Sequence, residues 1–225
     1  MYCDLHIHSC LSPCADDDMT PANIAGMARL KGLGMIALTD HNSGGNLGAM
    51  DAAAREAGLV FVPGVEATSR EEVHILAYFA ALPEALCFTQ TLYNSLPDIA
   101  NHPELFGRQL LMNDADAPSG ELPKLLLQAS PFSAEELAAM AREAGGAAVP
   151  AHVNRDSYSL IANLGFIPPG LFRWIEVTES LPLPPLTEPY RILHSSDAHT
   201  LGSIAEASYA LDVGSAAEFI ALLRQ

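Results

Sequence analysis

Three short clusters of histidine and acid, Asp4-Leu5-His6-Ile7-His8, Thr39-Asp40-His41-Asn42 and Ser196-Asp197-Ala198-His199, each stand where an apolar run stops. Two more junctions of this kind, Gly64-Val65-Glu66 and Ala151-His152, lie between them. Residues two apart on a strand share a face, so His6 and His8 can reach one cation. Asp4 has the same parity and reads as a carboxylate that orients a histidine. Asp197 and His199 repeat the spacing, whereas His194 has the opposite parity and reads as structural. Glu66 has two oxygens and so can bridge two cations, which an imidazole cannot. Asp40-His41 follows Ile36-Ala37-Leu38, a run too apolar to hold an unpaired charge. His74 and His152 read either as ligands or as buried, satisfied histidines. Together these groups point to a metal-dependent hydrolase.

The elements that must position them alternate. Strands are expected over Tyr2–His8, Met35–Leu38, Leu59–Val62, Val73–Phe79, Ala147–Ala151, Trp174–Thr178 and Tyr190–Leu193. Between them, Thr20-Pro21 opens a helix that stops near Gly32, and Leu47 to Ala57 reads as another. Ser133-Ala134-Glu135-Glu136 is a capping box, and Ala216 to Arg224 reads as a closing helix. A helix is expected over Glu84–Asn94, and short strands over Gln109–Met112 and Lys124–Leu127 around a polar turn at Asn113–Gly120. Repeated strand–helix units predict parallel strands joined by crossover helices, with the chemistry at the C-terminal strand ends.

At 225 residues the chain is expected to form one domain, residues 1–225. Hydrophobic content of 49% against 17% charged residues excludes a disordered polymer. A net charge of −16, from 11 Lys+Arg and 27 Asp+Glu, argues against non-specific nucleic-acid binding. No apolar run approaches the roughly 20 residues of a membrane span. Acidic Asp4 stands where a secretory leader would be basic, and four cysteines make no disulfide scaffold, so a cytoplasmic setting is expected. Cys10-x-x-x-Cys14 lacks partners for a structural zinc and reads as buried or loop cysteines. Asp16-Asp17-Asp18 reads as a solvated acidic turn or as the source of one ligand. His102 reads as a surface histidine.

These motifs, with Thr20-Pro21 and His74-Ile75-Leu76, occur in an order that resembles the polymerase and histidinol phosphatase (PHP) family. The resemblance spans residues 4 to 199, with no matched motif between about 81 and 130. It implies an α/β fold, a distorted (β/α)7 TIM-like barrel, with two or three divalent ions (Mn, Zn or Fe) at its mouth. It implies His6, His8, Glu66 and Asp197 around a first ion. Glu66 would bridge to a second, with His74 and His152. A third would take Asp16, His41 and His199. The family's aspartate stands five residues before the proline of Thr-Pro, which points to Asp16. Here Ser12-Pro13-Cys14-Ala15 and the triple Asp replace the usual Ser-Asp-Gly, and Asp18 is the alternative. Arg155, three residues past His152, lies near the expected mouth and reads either as a phosphate ligand, by its fixed fork, or as a surface arginine. The implied activity is a phosphoesterase that hydrolyses a small phosphomonoester, a metabolite or nucleotide, with cation-activated water and no side-chain acid or base assigned. The alternatives are a nuclease acting on DNA or RNA ends and a non-hydrolytic metal- or phosphate-binding module.

Overall fold

The computed structural model describes residues 1–178, 181–185 and 189–225. The strands are β1 (Cys3–Ile7), β2 (Met35–Leu38), β3 (Val60–Thr68), β4 (His74–Tyr78), β5 (Leu110–Met112), β6 (Pro118–Glu121), β7 (Ala147–Pro150), β8 (Trp174–Thr178) and β9 (Arg191–Ser195). The helices are α1 (Pro21–Leu30), α2 (Leu47–Ala57), α3 (Leu82–Ser95), α4 (Pro103–Phe106), α5 (Ala134–Glu143), α6 (Leu160–Leu164) and α7 (Ala216–Leu223). Five strands form a sheet in the order β1-β2-β3-β4-β7, and β8 and β9 form a parallel pair. An isolated bridge from Ile7 to Ala198 brings the chain beyond β9 against β1. Near β7 and β8, the Val153 N–H donates to the Glu176 carbonyl at 2.9 Å. The result is a mixed α/β fold around a curled half-barrel sheet.

The expected all-parallel arrangement needs correction at β4, which runs antiparallel to both β3 and β7. The physical reason is length: residues 69–73 are too few for the crossover that a parallel neighbour requires. β3 also continues through Pro63-Gly64 to Thr68, past the predicted strand end at Val62.

Helix α1 starts as predicted, with the Thr20 side chain accepting from Asn23 N–H and Pro21 in its first turn. Helix α5 has its full capping box, Ser133 with Glu136. One apolar core lies between the sheet and its helices and holds Ile24, Ile36, Leu38, Met50 and Ile175. Another gathers Leu5, Ala37, Leu76, Tyr78 and Val149 against Phe219 and Ile220 of α7.

The segment between α3 and α5 differs most from expectation. Pro118–Glu121 forms β6 rather than a turn, and Lys124–Leu127 is irregular rather than a strand. The Gln109 side chain takes the strand partner's place there. Its Nε2 donates to the Leu122 and Lys124 carbonyls at 2.8 Å each, and its Oε1 accepts from Leu126 N–H at 2.9 Å. The β5–β6 hairpin braces the loop after β1. Leu110 N–H donates to the Cys10 carbonyl at 2.9 Å, and Asn46 Nδ2 donates to Ser9 Oγ and the Leu110 carbonyl at 3.0 Å each. Asp116 accepts from Thr20 Oγ1 at 2.6 Å and from Ala22 N–H at 3.0 Å, tying the hairpin to α1.

Candidate metal centre

Six imidazoles and two carboxylates converge at one mouth of the sheet. His6 and His8 leave the end of β1, and a bulge decides where they point. Asp4 aligns with Ile36 and Ile7 with Leu38, so three steps on β1 match two on β2. Asp4 therefore shares the outward face of Ile7, while His6 and His8 turn inward. Strand parity misassigned Asp4 for this reason. Its buried carboxyl accepts from Ser196 N–H (3.0 Å), Ser196 Oγ (2.6 Å) and Ala205 N–H (2.9 Å), and no imidazole ring. Burial pushes that carboxyl upward despite these donors.

The carboxylate that orients a histidine is Glu176, in the middle of β8. His6 Nδ1–H donates to Glu176 Oε1 at 3.2 Å, and the His152 backbone N–H donates to Glu176 Oε2. Sequence reading placed Glu176 on a strand without a role. The available signal was a lone acid inside the apolar run Trp174-Ile175-Glu176-Val177. Asp40 is likewise satisfied by the protein, accepting from Ser9 N–H (2.7 Å), Ser9 Oγ (2.6 Å) and Ser12 Oγ (2.8 Å).

These outer bonds fix which nitrogen each imidazole presents. Ser12 Oγ spends its proton on Asp40, so it accepts from His8 Nδ1–H at 2.9 Å. His199 Nδ1–H donates to the Asp197 carbonyl at 2.9 Å. In their neutral forms His6, His8 and His199 therefore each leave Nε2 as the nitrogen free to bind a cation. His6 Nε2 and His8 Nε2 lie 3.1 Å apart, and Asp197 Oδ1 is 3.3 Å from each. Glu66, 1% exposed, sends its oxygens to different partners. Oε1 is 2.9 Å from His74 Nδ1 and 3.0 Å from His152 Nε2, and Oε2 is 3.0 Å from His41 Nδ1.

The donor set fits divalent cations. Two lone-pair-bearing nitrogens facing each other at 3.1 Å repel unless a proton or a cation lies between them. His152 Nδ1 is buried without a hydrogen bond, while buried His41 Nδ1 and Asp197 Oδ2 have only their ion-pair contacts with Glu66 and Arg155. Donor atoms lie within 4.8 Å of one another in three overlapping groups, His6–His8–Glu66, His41–Glu66–His74 and His8–His41–His199. His6, His8, His41, Glu66, His74, His152, Asp197 and His199 are thus brought together as predicted. Asp16 is not: it is exposed and joins none of these groups, and the backbone of Asp18 merely accepts from Asn23 Nδ2. His194 packs at a tilt against Tyr209, and His102 lies on the surface, both away from the mouth.

Protonation follows burial and charge. Burial pulls His8 and His41 toward neutrality, but Glu66 outweighs it at both, with Asp197 at His8, and each rises to about 9. Burial wins at His74, held near 4 against Glu66, and at His199, held near 3 with His8 adding repulsion. Burial opposes ionisation of Glu66 and Asp197 too, yet the surrounding imidazoles hold both well below the usual carboxylate range.

The mouth opens into a cavity of about 240 Å³ lined by His41, His74, His152, Arg155 and Tyr158. Arg155 is found where predicted, with Nη1 2.6 Å from Asp197 Oδ2 and its side chain part-exposed. Tyr158, unremarked in sequence, lies on His74 with ring centroids 4.8 Å apart. His152, Tyr158 and Asp197 all adopt positive φ, a conformation concentrated at functional sites.

The chain is 38% identical over 76 residues to a 3′,5′-nucleoside bisphosphate phosphatase of Chromobacterium violaceum, covering 32% of this chain and 26% of that protein. Its fold superposes with TM-score 0.60 on a proposed metal-dependent phosphoesterase of Bifidobacterium adolescentis, at 19% identity, covering 89% of this chain and 88% of the other. The resemblance to the PHP family is borne out. A lesion-specific endonuclease of Pyrococcus furiosus shares the fold with TM-score 0.64 at 21% identity, over 88% of this chain and 48% of that one. No family model matches the chain. Among the described residues no helix is long and apolar enough to cross a membrane.

Proposed function

We propose that this chain is a metal-dependent phosphoesterase that hydrolyses a small phosphomonoester, a metabolite or a nucleotide. One observation carries the reading: Glu66 lies within 3.4 Å of His6 and His8 and within 3.0 Å of His74 and His152, so one carboxylate reaches both sets of imidazoles, as a group shared by two cations must. On this reading the cations are two or three ions of Mn, Zn or Fe. His6, His8, Glu66 and Asp197 hold the first, Glu66, His74 and His152 the second, and His41 and His199 belong to a third. The strands form a distorted (β/α)7 barrel in one domain, and the four free cysteines fit the cytoplasm.

Bound divalent cations supply Lewis-acid charge and acidify coordinated water. The chain's own residues do the rest. Glu176 and Ser12 lock the rings of His6 and His8, so their Nε2 atoms keep one direction. Arg155 steadies Asp197 and offers its remaining N–H groups to a non-bridging phosphate oxygen. Tyr158 and Leu127 form the apolar side of the cavity and receive the leaving group. Glu66 and Asp197 stay ionised and cannot donate a proton, so the leaving oxygen takes its proton from water at the open mouth.

The C. violaceum relative acts on a nucleoside bisphosphate, which supports a small phosphorylated substrate. The endonuclease likeness keeps nucleic-acid ends as the second reading. The test is phosphate release after chelation and reloading with Mn²⁺, Zn²⁺ or Fe²⁺, comparing nucleoside mono- and bisphosphates with a single-stranded oligonucleotide. Turnover of the small esters alone supports the proposal, and oligonucleotide cleavage alone replaces it with the nuclease. A well-metallated protein that turns over nothing is a binding module.

A further inference from the structure

We propose that Cys14 is a thiolate ligand of the third cation position, beside His8, His41 and His199. The proposal rests on the cation reading above and changes its third ligand set.

Ser12-Pro13-Cys14-Ala15 is a tight turn closed by Ala15 N–H donating to the Ser12 carbonyl at 2.9 Å, with Pro13 at its second position. Cys14 is carried at the third. The turn is fastened on both sides of the mouth. Ser12 Oγ accepts from His41 N–H at 3.1 Å and donates to Asp40, while Asp16 N–H donates to the His199 carbonyl at 3.0 Å. Cys14 is therefore held between the two strand ends that present His41 and His199, and it lines the cavity with both. Cys14 is exposed, so its thiol stands at the open rim of this cavity. Asp16 is exposed and does not line the cavity, while Asp17 faces Arg108 at 3.5 Å.

A separate observation points to a ligand there. The nitrogens of His8, His41 and His199 lie within 4.8 Å of one another, and buried His41, 5% exposed, has an Nδ1 with no well-formed hydrogen bond, only the 3.0 Å contact with Glu66. Three neutral imidazoles leave both charges of a dication uncompensated and one corner of a tetrahedron open. A thiolate supplies both the charge and the corner. On binding, the S–H bond breaks, the sulfur keeps the pair and donates it to the cation, and the proton passes to solvent. Sulfur is a soft donor, so this position favours Zn²⁺, Fe²⁺ or Co²⁺ over Mn²⁺ or Mg²⁺.

The remaining thiols are natural controls: Cys3 and Cys10 are buried in the core, and Cys87 is exposed on α3, away from the cavity. The experiment loads chelated wild-type protein and Cys14→Ser with Co²⁺. It records the cobalt bound, the near-ultraviolet spectrum, and the iodoacetamide labelling of each cysteine by mass spectrometry. Three outcomes support the assignment together. The wild type shows a thiolate-to-cobalt charge-transfer band that Cys14→Ser lacks. Cobalt slows labelling of Cys14 about tenfold or more while Cys87 is unaffected. Cys14→Ser weakens the last-bound cobalt about 100-fold, the scale of losing a metal-site partner. Full cobalt binding with no such band and unprotected Cys14 overturns the thiolate alone. Failure of the wild type to bind cobalt overturns the cation reading and this proposal with it.

Discussion

Glu66→Gln is the sharpest probe of the cation cage. The amide keeps the size and shape of the side chain and removes one charge. Oε1 and Oε2 lie 2.9 to 3.4 Å from five imidazole nitrogens, so a cation among those nitrogens lies within about 5 Å of the carboxylate centre. At that distance, with an effective dielectric of about 20, each unit of cation charge is stabilised by about 3 kcal/mol. Losing only half of the attraction to a dication costs about 3 kcal/mol, or about 100-fold in Kd. A shared carboxylate acts on both ions it holds, so two equivalents should weaken together. Equilibrium dialysis against graded Zn²⁺ or Mn²⁺, with elemental analysis of the protein, reads this directly. Thermal melts of the chelated proteins confirm that the variant folds. If Glu66→Gln binds the same number of ions with unchanged Kd, Glu66 is no bridge and the cage is misread.

Other expectations follow from the same geometry. His8 and His41, raised to about 9, carry protons in the cation-free protein. Their stabilising contribution is complete below the ordinary histidine value of about 6.5 and is lost as pH climbs toward 9. Cations must displace those protons, so apparent affinity should strengthen over that same interval. Calorimetric titration near pH 7.5 in two buffers of different ionisation enthalpy should reveal proton release, and identical heats would contradict it. Glu176→Gln keeps a weaker acceptor for His6 and should reduce first-ion affinity about tenfold; a change confined to KM would assign Glu176 elsewhere. Tyr158→Ala should raise KM for a nucleotide about tenfold, with kcat changed far less, because it removes a stacking surface; an equal fall in kcat would place the ring in the chemistry. Gly107 has φ +97°, and a Cβ there would lie 1.9 Å from the Pro13 carbonyl oxygen. Gly107→Ala should therefore cost about 2 kcal/mol or more in a denaturant melt, and a midpoint within error of wild type would show that the loop yields freely.

The ligands were legible because each sits in a local pattern: an apolar run, then a histidine or acid. Such a pattern survives without knowledge of the neighbours. Asp4 and Glu176 exchanged roles because a bulge between Asp4 and Ile7 is set by pairing with β2, which no local spacing reports. The antiparallel β4 was hidden for the opposite reason: its apolar run suits either direction, and only the short connection at 69–73 decides. Between α3 and α5 the chain is held by side-chain amides, Asn42, Asn46 and Gln109, that bond to backbone. Their bonds leave no hydrophobic period to read. β6 is exposed along its whole length, so it shows no alternation. Cys14 was passed over because a four-residue spacing to Cys10 says nothing about His41 and His199, which meet it only in the fold.

The hairpin of β5 and β6 gives the molecule a division of labour. Its residues touch neither cation nor ester, yet Gly107 abuts Pro13, Leu110 holds Cys10 and Asp116 grips the start of α1. These three fastenings reach the stretch that runs from β1 through the Cys14 turn to α1. Trimming this unremarkable ribbon, or grafting a shorter one, would leave every ligand in the chain and still loosen the rim. Selection for metal preference can therefore act on amino acids that never meet a metal.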